Sequence, residues 1–595
     1  MLRIIGYILL SSTVCLAQNH LEVIYPEDGQ HIPAVDSTFI FGNTGADADL
    51  FINGHDIDVH SDGGFLAFLP VKTGSFQFNL VSDLNGDTSL ATVNIFVGPI
   101  ADSSDDFIKL SSLAPSGRTV LLPSESFEFS FKARGYGRAF CCFENDANWT
   151  QMYPDVKPWQ YESVFGEIPK ASDSSVYITY TAIMRIDGMV DSSRVYYMYE
   201  NDICDSTGIL QWTEFEIDST DFYVVRLDEY PKQVVVLVGG NPHIIRVAPA
   251  KGYKLVNQPA GVRFRYLGET PDYYQVMLAD NVYGYVKKID ATLEPVGTSL
   301  PGGEVSFVIV NNFNRYVQVS MNIGDKLPFE VRQDGNLMMI DIYGLTSDTD
   351  WIRLNDTQRY IKSVWWSQPQ NGIYRLNIRW SDEHFWGYKC YYEDDNFIVQ
   401  LKKRPPSKGL FHSRVAGLRI ALDPGHSHDP GAKGPTGLQE KDANLWIAYE
   451  LRKILLDKGA KVLMTRMGHE DIGLYERVDM ATKWDADILI SIHNNALPDG
   501  VNPFTHNGAS AYYYFNQARP LAEAIHKHLL KKTGLPDHGL YYGNLALTRV
   551  TDCPAVLVEC AFMMIPEQEA MLKTDKFQRK CAKAIYEGIC EYLGD

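Results

Sequence analysis

Three apolar runs in the last third of the chain each end on a residue that can bind a metal or carry a proton. Each run is short enough to be one buried strand. The runs are 418–422 before the turn Asp423-Pro-Gly-His426, 488–492 before His493, and 555–558 before Glu559. Ligands of an open α/β sheet bind beyond the carboxyl ends of its strands. We therefore expect His426, His493 and Glu559 to lie at one edge of a sheet.

A metal site accounts for these residues together. Zinc in a hydrolase usually takes three protein ligands, imidazoles and a carboxylate, and leaves a fourth position for water. His426, Glu440 and His493 match that set, and Glu559 is then free to act as a base towards the water. Taken singly, a histidine after a strand is an ordinary loop residue, and the helix dipole explains Glu440. Glu559 is harder to explain otherwise, because a carboxylate beside a buried run is costly unless it is paired.

Four motifs follow one another between residues 423 and 559, and together they are specific enough to indicate a family. They are Asp423-Pro-Gly-His426, Gly437-Leu-Gln-Glu440-Lys441, Ser491-Ile-His493-Asn-Asn495 and Val556-Leu-Val-Glu559. Together they resemble the zinc-dependent N-acetylmuramoyl-L-alanine amidases of the Amidase_3 family. The resemblance implies that His426, Glu440 and His493 bind Zn2+ and that Glu559 is catalytic. It also implies that the substrate is peptidoglycan, cut between N-acetylmuramic acid and L-alanine.

Two departures from the family pattern bear on the site. Ser427-His428 replaces the usual Gly-Gly, so His428 is a further candidate ligand or hydrogen-bond donor. Cys560-Ala-Phe562 replaces a Thr-Gly-Phe-like stretch. The thiol of Cys560 is a candidate ligand because it directly follows Glu559, but alternation along a strand would point it to the opposite face. Asn495 and Arg549 are candidates for substrate contacts, although a surface salt bridge explains Arg549 equally well.

Two other functions stay open. One is a zinc peptidase that cuts elsewhere in the stem peptide, and the other is a wall-binding scaffold with an inactive catalytic fold. Some family members also carry a long helical insertion that plugs the site, whereas here 65 residues separate His493 from Glu559. The loop 497–508 is too short and polar for a plugging helix. We therefore expect residues 414–595 alone to hydrolyse soluble muropeptides without an activator.

From residue 418 onward, apolar strands alternate with amphipathic helices. This pattern predicts a C-terminal α/β domain over 414–595, with a mainly parallel sheet flanked by helices. The helices are expected over 442–458, 474–484, 519–532 and 577–593.

The N-terminal half reads as a series of all-β modules, so the chain is predicted to be multidomain. Its 595 residues exceed what one core supports. The predicted division is a signal peptide over 1–17, an Ig-like domain over 18–99, a β-rich domain over 100–228, an SH3-like domain over 229–298, an AMIN-like domain over 302–403 and a linker over 404–413. The AMIN-like part resembles the domains that precede such amidases and bind the cell wall. Trp365-Trp366 would be a sugar-stacking platform there, although paired aromatics more often divide between core and solvent.

Residues 1–17 have the arginine, the apolar stretch and the small-residue ending of a secretory signal. Cys15 would instead accept a lipid in a lipoprotein signal, which the valine before it disfavours. No other apolar run approaches the ~18 residues of a membrane helix. A formal charge of −20, from 74 acidic and 54 basic residues, argues against a nucleic-acid partner. We expect a periplasmic or secreted protein, in which Cys141 or Cys142 can form a disulfide with Cys204.

Overall fold

The computed structural model describes residues 19–594 with internal gaps. The gaps are residues 34, 99–106, 116–125, 135–136, 145–147, 156–176, 186–192, 205–209, 223–232, 241, 358, 382–385 and 407–412. The predicted signal peptide, with Cys15, lies outside the described residues, as does most of the predicted linker. Among the helices of the described part, none is long and apolar enough to cross a membrane.

The N-terminal module, residues 19–98, is a sandwich of two sheets around one apolar core. Its strands are β1 (Leu21–Tyr25), β2 (Gln30–Ile32), β3 (Ser37–Thr44), β4 (Asp49–Ile52), β5 (His55–Ile57), β6 (Gly64–Pro70), β7 (Gly74–Leu84) and β8 (Asp87–Val97). The sheets have the orders β1-β3-β6 and β2-β8-β7-β4-β5. Alternation along β7 buries Phe78 and Leu80 and exposes their neighbours. Asn53 and Gly54, both at positive φ, form a tight turn between β4 and β5.

The second module, residues 107–222, is built on one six-stranded sheet. Its strands are β9 (Ser126–Arg134), β10 (Arg138–Phe143), β11 (Thr150–Pro154), β12 (Tyr177–Arg185), β13 (Ser193–Cys204) and β14 (Leu210–Phe222), in the order β14-β13-β10-β11-β12-β9. Cys141 lies opposite Tyr197, seven residues before Cys204 on β13. At about 3.3 Å per residue the backbones are roughly 20 Å apart, whereas a disulfide needs Cα atoms within about 7 Å. The structure therefore does not support the bridge to Cys204 that the sequence left possible, and Cys141 is a free thiol.

The third module, residues 233–293, is an antiparallel sheet of seven strands. Its strands are β15 (Val234–Leu237), β16 (His243–Arg246), β17 (Tyr253–Gln258), β18 (Arg263–Glu269), β19 (Tyr273–Ala279), β20 (Val282–Lys287) and β21 (Ala291–Leu293), in the order β17-β16-β20-β19-β18-β15-β21. Its core is formed by apolar side chains such as Val235, Phe264 and Val276.

The fourth module, residues 303–402, has two sheets that enclose one core. Its strands are β22 (Gly303–Asn312), β23 (Tyr316–Asn322), β24 (Phe329–Asp334), β25 (Leu337–Tyr343), β26 (Leu345–Asn355), β27 (Ile361–Gln370), β28 (Ile373–Trp380), β29 (Tyr388–Glu393) and β30 (Asn396–Lys402). The sheet orders are β26-β22-β23-β30-β29 and β24-β25-β28-β27. The N-terminal half is thus made of β modules, while their exact boundaries and family resemblances stay predictions.

The C-terminal domain is an α/β fold on a six-stranded sheet. Its elements are β31 (Arg419–Pro424), α1 (Glu440–Asp457), β32 (Lys461–Met464), α2 (Leu474–Lys483), β33 (Ile488–Asn495), β34 (Ala509–Tyr513), α3 (Arg519–Thr533), β35 (Asp537–Tyr542), β36 (Ala555–Phe562), α4 (Pro566–Leu572) and α5 (Asp575–Tyr592). The sheet order is β32-β31-β33-β36-β34-β35, and the first four strands are parallel. β34 runs antiparallel to β36. The mainly parallel sheet agrees with the sequence analysis, which did not predict β35 or α4.

Alternation along the parallel strands places helices on both faces of this sheet. Ile420 and Ile490 face the core that contains α1, α3 and α5. Ala421 and Leu489 face the opposite side, where α2 and the segment before β36 cover them. Both faces of the parallel strands are therefore buried, as expected for a sheet with helices on either side.

Two β modules pack at opposite ends of the strands of this sheet, which we call its carboxyl edge and its amino edge. Phe41 of the N-terminal module joins an apolar cluster with Leu497, which follows β33, and Phe562, which ends β36. At the other edge, Trp386 of the fourth module is buried in the C-terminal core and donates from Nε1 to the Asp487 carbonyl at 3.0 Å. The modules are therefore packed onto the domain that carries the predicted site.

Candidate metal centre

The carboxyl edge of the C-terminal sheet brings His426, Glu440 and His493 together. Their candidate ligand atoms all lie within 4.8 Å of one another. Nε2 of His426 and Nδ1 of His493 each lie 3.0 Å from a different oxygen of Glu440. Ligands at about 2.1 Å from a tetrahedral zinc are roughly 3.4 Å apart, so this spacing fits the metal. Two imidazoles and one carboxylate are also a ligand set that zinc takes in hydrolases.

The loop after β31 has a backbone that residues with a Cβ seldom adopt, since His426 has a φ of 62°. Nδ1 of His426 lies 2.9 Å from Oδ2 of Asp429, and a carboxylate on one ring nitrogen orients the other towards a metal. Gly425 and Gly431 have no room for a side chain. A Cβ on Gly425 would lie 2.2 Å from Nε2 of His493, and one on Gly431 would lie 2.7 Å from the His426 ring. The loop sequence is therefore matched to the cluster.

Glu440 begins α1 and is 5% exposed. Its carboxylate accepts hydrogen bonds from the backbone N–H groups of Ala432 at 3.0 Å and Asn494 at 3.2 Å. The side-chain amide of Asn444 donates to it at 3.1 Å. Burial raises the pKa of Glu440, but hydrogen bonds from the two histidines outweigh burial and hold that pKa well below its ordinary value. Glu440 is therefore ionised, which is the state that a metal ligand requires.

Glu559 lies beside the cluster on the neighbouring strand. It is the register partner of His493 between β33 and β36, so the two side chains share one face of the sheet. Oε2 of Glu559 is shielded from solvent and accepts no hydrogen bond from the described residues. Burial, and then the charge of Glu440, raise the pKa of Glu559 well above its ordinary value. A carboxylate in this environment is suited to accept a proton.

Two buried arginines support the loop that carries His426. Arg466 donates to the Gly425 carbonyl at 2.9 Å. Arg477 donates to Oδ1 of Asp423 at 2.9 Å and to the His426 carbonyl at 2.8 Å. Sequence analysis did not find either arginine. Arg466 follows β32 closely, as His426 follows β31, so the same strand-end rule applied to β32 would have found it, whereas Arg477 lies inside a helix and gives no such signal.

The other candidates near the motifs lie in different surroundings. His428 is exposed and is not part of the ligand cluster. Cys560 is buried in the core on the opposite face from Glu559, as alternation predicted. Asn495 lies at the rim of the site, where its side chain interacts with Tyr512 of β34, whose pKa is raised by burial and by Glu559.

Arg549 belongs to a junction between modules. Its guanidinium donates to Oδ1 of Asn544 at 3.0 Å and to the Tyr475 hydroxyl at 3.2 Å, and its carbonyl accepts from Asn257 of the third module at 2.9 Å. It lines a cavity of about 720 Å³ between the third module, the fourth module and the C-terminal domain. Within the described residues Arg549 makes no salt bridge, so the surface salt bridge does not fit these contacts, and its contact with substrate stays a prediction.

Comparison with known proteins assigns the same region to a family. Residues 420–591 match the Amidase_3 model, which is described as N-acetylmuramoyl-L-alanine amidase. The part of the chain that carries the cluster is therefore an Amidase_3 domain.

Named relatives are similar to this part of the chain. The probable cell wall amidase LytH of Staphylococcus epidermidis is 34% identical over 192 residues, which are 32% of this chain and 63% of that protein. The N-acetylmuramoyl-L-alanine amidase LytC of Bacillus subtilis is 35% identical over 183 residues, 30% of this chain and 36% of that protein. The chain thus spans less than two thirds of the length of either relative.

Solved structures also match this region. The catalytic domain of CwlV, an N-acetylmuramoyl-L-alanine amidase from Bacillus (Paenibacillus) polymyxa var. colistinus, is 33% identical. The match covers 30% of this chain and 98% of that domain, with a TM-score of 0.28.

Proposed function

We propose that the protein is a zinc-dependent N-acetylmuramoyl-L-alanine amidase that hydrolyses peptidoglycan between N-acetylmuramic acid and L-alanine. The observation that carries this proposal is the cluster of His426, Glu440 and His493 with the shielded carboxylate of Glu559 beside it, inside an Amidase_3 domain. The names of the relatives, a probable cell wall amidase and an N-acetylmuramoyl-L-alanine amidase, support the same substrate class.

The proposed mechanism assigns some roles to the metal and others to residues of the chain. When bound, zinc supplies a Lewis acid that polarises the scissile carbonyl and makes the attacking water more acidic. His426, Glu440 and His493 would hold the metal, and Asp429 orients the His426 ring. Glu559 takes a proton from the water as the water oxygen bonds to the carbonyl carbon. Glu559 then returns this proton to the leaving amine as the carbon–nitrogen bond breaks.

We also propose that the protein acts in the cell envelope, exported by residues 1–17, and that its β modules bind the wall. Trp365 and Trp366 of β27 support a wall contact, because each is 38% exposed. Trp366 is held by a hydrogen bond from Nε1 to the Thr349 carbonyl at 2.8 Å. A fixed, partly exposed indole is a surface on which a sugar ring can stack.

Mass spectrometry of the products from soluble muropeptides tests the proposed reaction. We expect about one zinc per purified chain, loss of hydrolysis on chelation and its return with zinc. The expected products are the intact stem peptide and the free muramic acid end. A shortened stem peptide would instead identify a zinc peptidase, and zinc-loaded protein without turnover would identify a scaffold. An active preparation without metal would contradict the metal centre itself.

A further inference from the structure

The chain reaches Glu440 through a tight turn, residues 432–440, which we call the ligand hairpin. The N–H of Glu440 donates to the Ala432 carbonyl at 2.8 Å, and the N–H of Gly434 donates to the Leu438 carbonyl at 2.8 Å. The helix that follows has no side-chain hydrogen bond at its N-cap. The hairpin, and not a helix cap, therefore sets where the carboxylate of Glu440 enters the cluster.

One buried carboxylate from a distant part of the sequence holds the turn of this hairpin. Glu569, on α4, is 0% exposed. Its carboxylate accepts the N–H of Thr436 at 2.9 Å and the N–H of Leu438 at 3.1 Å. The contact is so close that a Cβ on Gly434 would lie 2.4 Å from Cδ of Glu569. A carboxylate is costly to bury, so its persistence here depends on these backbone hydrogen bonds.

An ion pair with Lys573 does not by itself account for the burial of the Glu569 carboxylate. Lys573 lies 3.7 Å from Glu569, and its side chain is 36% exposed, so the pairing is weak. Lys573 also lies 3.6 Å from Asp62 of the N-terminal module, and Asn43 of that module donates to the Pro435 carbonyl at 3.1 Å. The outer side of the hairpin is therefore covered by another module, while Glu569 holds its inner side.

We propose that Glu569 is a positioning residue for the metal ligand Glu440. By fixing the turn of the ligand hairpin, it fixes the Glu440 carboxylate between the two histidines and so increases the affinity of the site for zinc. Groups that orient metal ligands typically change metal affinity about 10–100-fold when they are replaced. The inference rests on the metal site of the proposed function, but not on the proposed substrate.

The test compares Glu569→Gln with Glu567→Gln in the full-length protein. Glu567 lies on the same helix and is exposed, so the control makes the same chemical change without touching the hairpin. The zinc dissociation constant is measured by competition with a chelator, at a temperature where circular dichroism shows every variant folded. We expect Glu569→Gln to weaken zinc binding about 10–100-fold, because its amide replaces one acceptor oxygen with a donor, and Glu567→Gln to bind as the parent does.

Amide hydrogen exchange of the metal-free protein gives a readout that does not depend on zinc. Exchange at Thr436 and Leu438 should be faster in Glu569→Gln than in the control. Should Glu569→Gln fail to fold, Glu569→Asp keeps the charge and withdraws it by one methylene, and both effects are expected in that variant.

Parent-like zinc affinity in a folded variant, with only a lower melting temperature, would overturn the inference and leave a purely structural role. A parent protein that binds no zinc would overturn the proposed function, and this inference with it. The two failures are therefore distinguishable.

Discussion

The two edges of the C-terminal sheet both bury carboxylates, but they surround them differently. At the amino edge, Asp487 is 1% exposed and accepts from Arg315 at 2.6 Å and from the N–H of Arg419 at 2.9 Å. At the carboxyl edge, Oε2 of Glu559 has no hydrogen-bond donor among the described residues. Breaking the contacts of a buried carboxylate with fixed partners is destabilising, whereas a carboxylate oxygen that is shielded from solvent and lacks a donor is a candidate for proton transfer.

The modules that pack on these edges differ in a related way. The fourth module meets the amino edge with cations, since Lys402 lies 2.8 Å from Asp485 and Arg315 contacts Asp487. The N-terminal module meets the carboxyl edge mainly with apolar side chains, among them Phe41. An apolar contact beside the metal ligands brings no charge that competes for them.

The largest expected effect tests the carboxyl edge. Glu559→Gln keeps the shape of the side chain and removes the base, so the rate of muropeptide hydrolysis should fall by about 10²–10⁴-fold. Zinc content should stay near that of the parent, because Glu559 is not in the ligand cluster. Rate and zinc content are measured on the same preparation.

Glu440→Gln is the matched variant for this comparison. It should lower zinc affinity, because a neutral amide is a poorer ligand for a dication than a carboxylate. If Glu559→Gln lost its zinc while Glu440→Gln kept it, the roles assigned to the two carboxylates would have to be exchanged.

The next effect concerns the apolar contact at the same edge. Phe41 is 5% exposed, and Phe41→Ala leaves a cavity between the N-terminal module and the C-terminal domain. The free energy of unfolding should decrease by about 3 kcal/mol, measured by denaturant titration of the full chain. Phe51→Ala in the same module is the control, because Phe51 is 41% exposed. Equal losses in both variants would show that the contact does not stabilise the protein.

The smallest effect is expected at the amino edge. Asp487→Asn removes a charge that Arg315 and the buried Lys402 face, so the free energy of unfolding should fall by about 2 kcal/mol. Zinc affinity should not change, since this edge is at the far end of the strands from the ligands. Asp457→Asn on the surface of α1 is the control. A loss of zinc in Asp487→Asn would show that the two edges are coupled.

Sequence reasoning located the residues of the candidate site because each of them lies close to the end or the start of a periodic element. His426, His493 and Glu559 stand at the ends of apolar strands, and Glu440 begins a helix. These positions depend on local patterns, and a parallel sheet brings the carboxyl ends of its strands to one edge. Most elements of the C-terminal domain were predicted within a few residues for the same reason.

The supporting residues could not be predicted in this way. Arg477 looks like an ordinary surface charge on a predicted helix, and Glu569 lies on a helix that was not predicted; only tertiary packing makes them buried partners of loops far away in sequence. The contact between the Arg549 carbonyl and Asn257 could not be predicted either, because it comes from another module. Strand β35 was missed because it contains Gly539 and polar residues and is the outermost strand of the sheet, where burial is partial.

The expectation for the isolated region 414–595 shows the same limit. Residues 497–508 contain no helix, as predicted. Leu497 and Val501 nevertheless pack under the N-terminal module, in a cluster with Phe562. Activity of the isolated region stays a prediction, and the structure adds that this region would expose an apolar surface next to the site.

Trp386 belongs to the fourth module but lies in the core of the C-terminal domain. It precedes β29 of the fourth module, yet its ring packs 5.3 Å from that of Tyr592 in the core of the C-terminal domain. Removal of this side chain would leave a cavity in that core, and loss of a buried Trp typically costs about 3–5 kcal/mol. A C-terminal domain without the fourth module would therefore lack part of its own core.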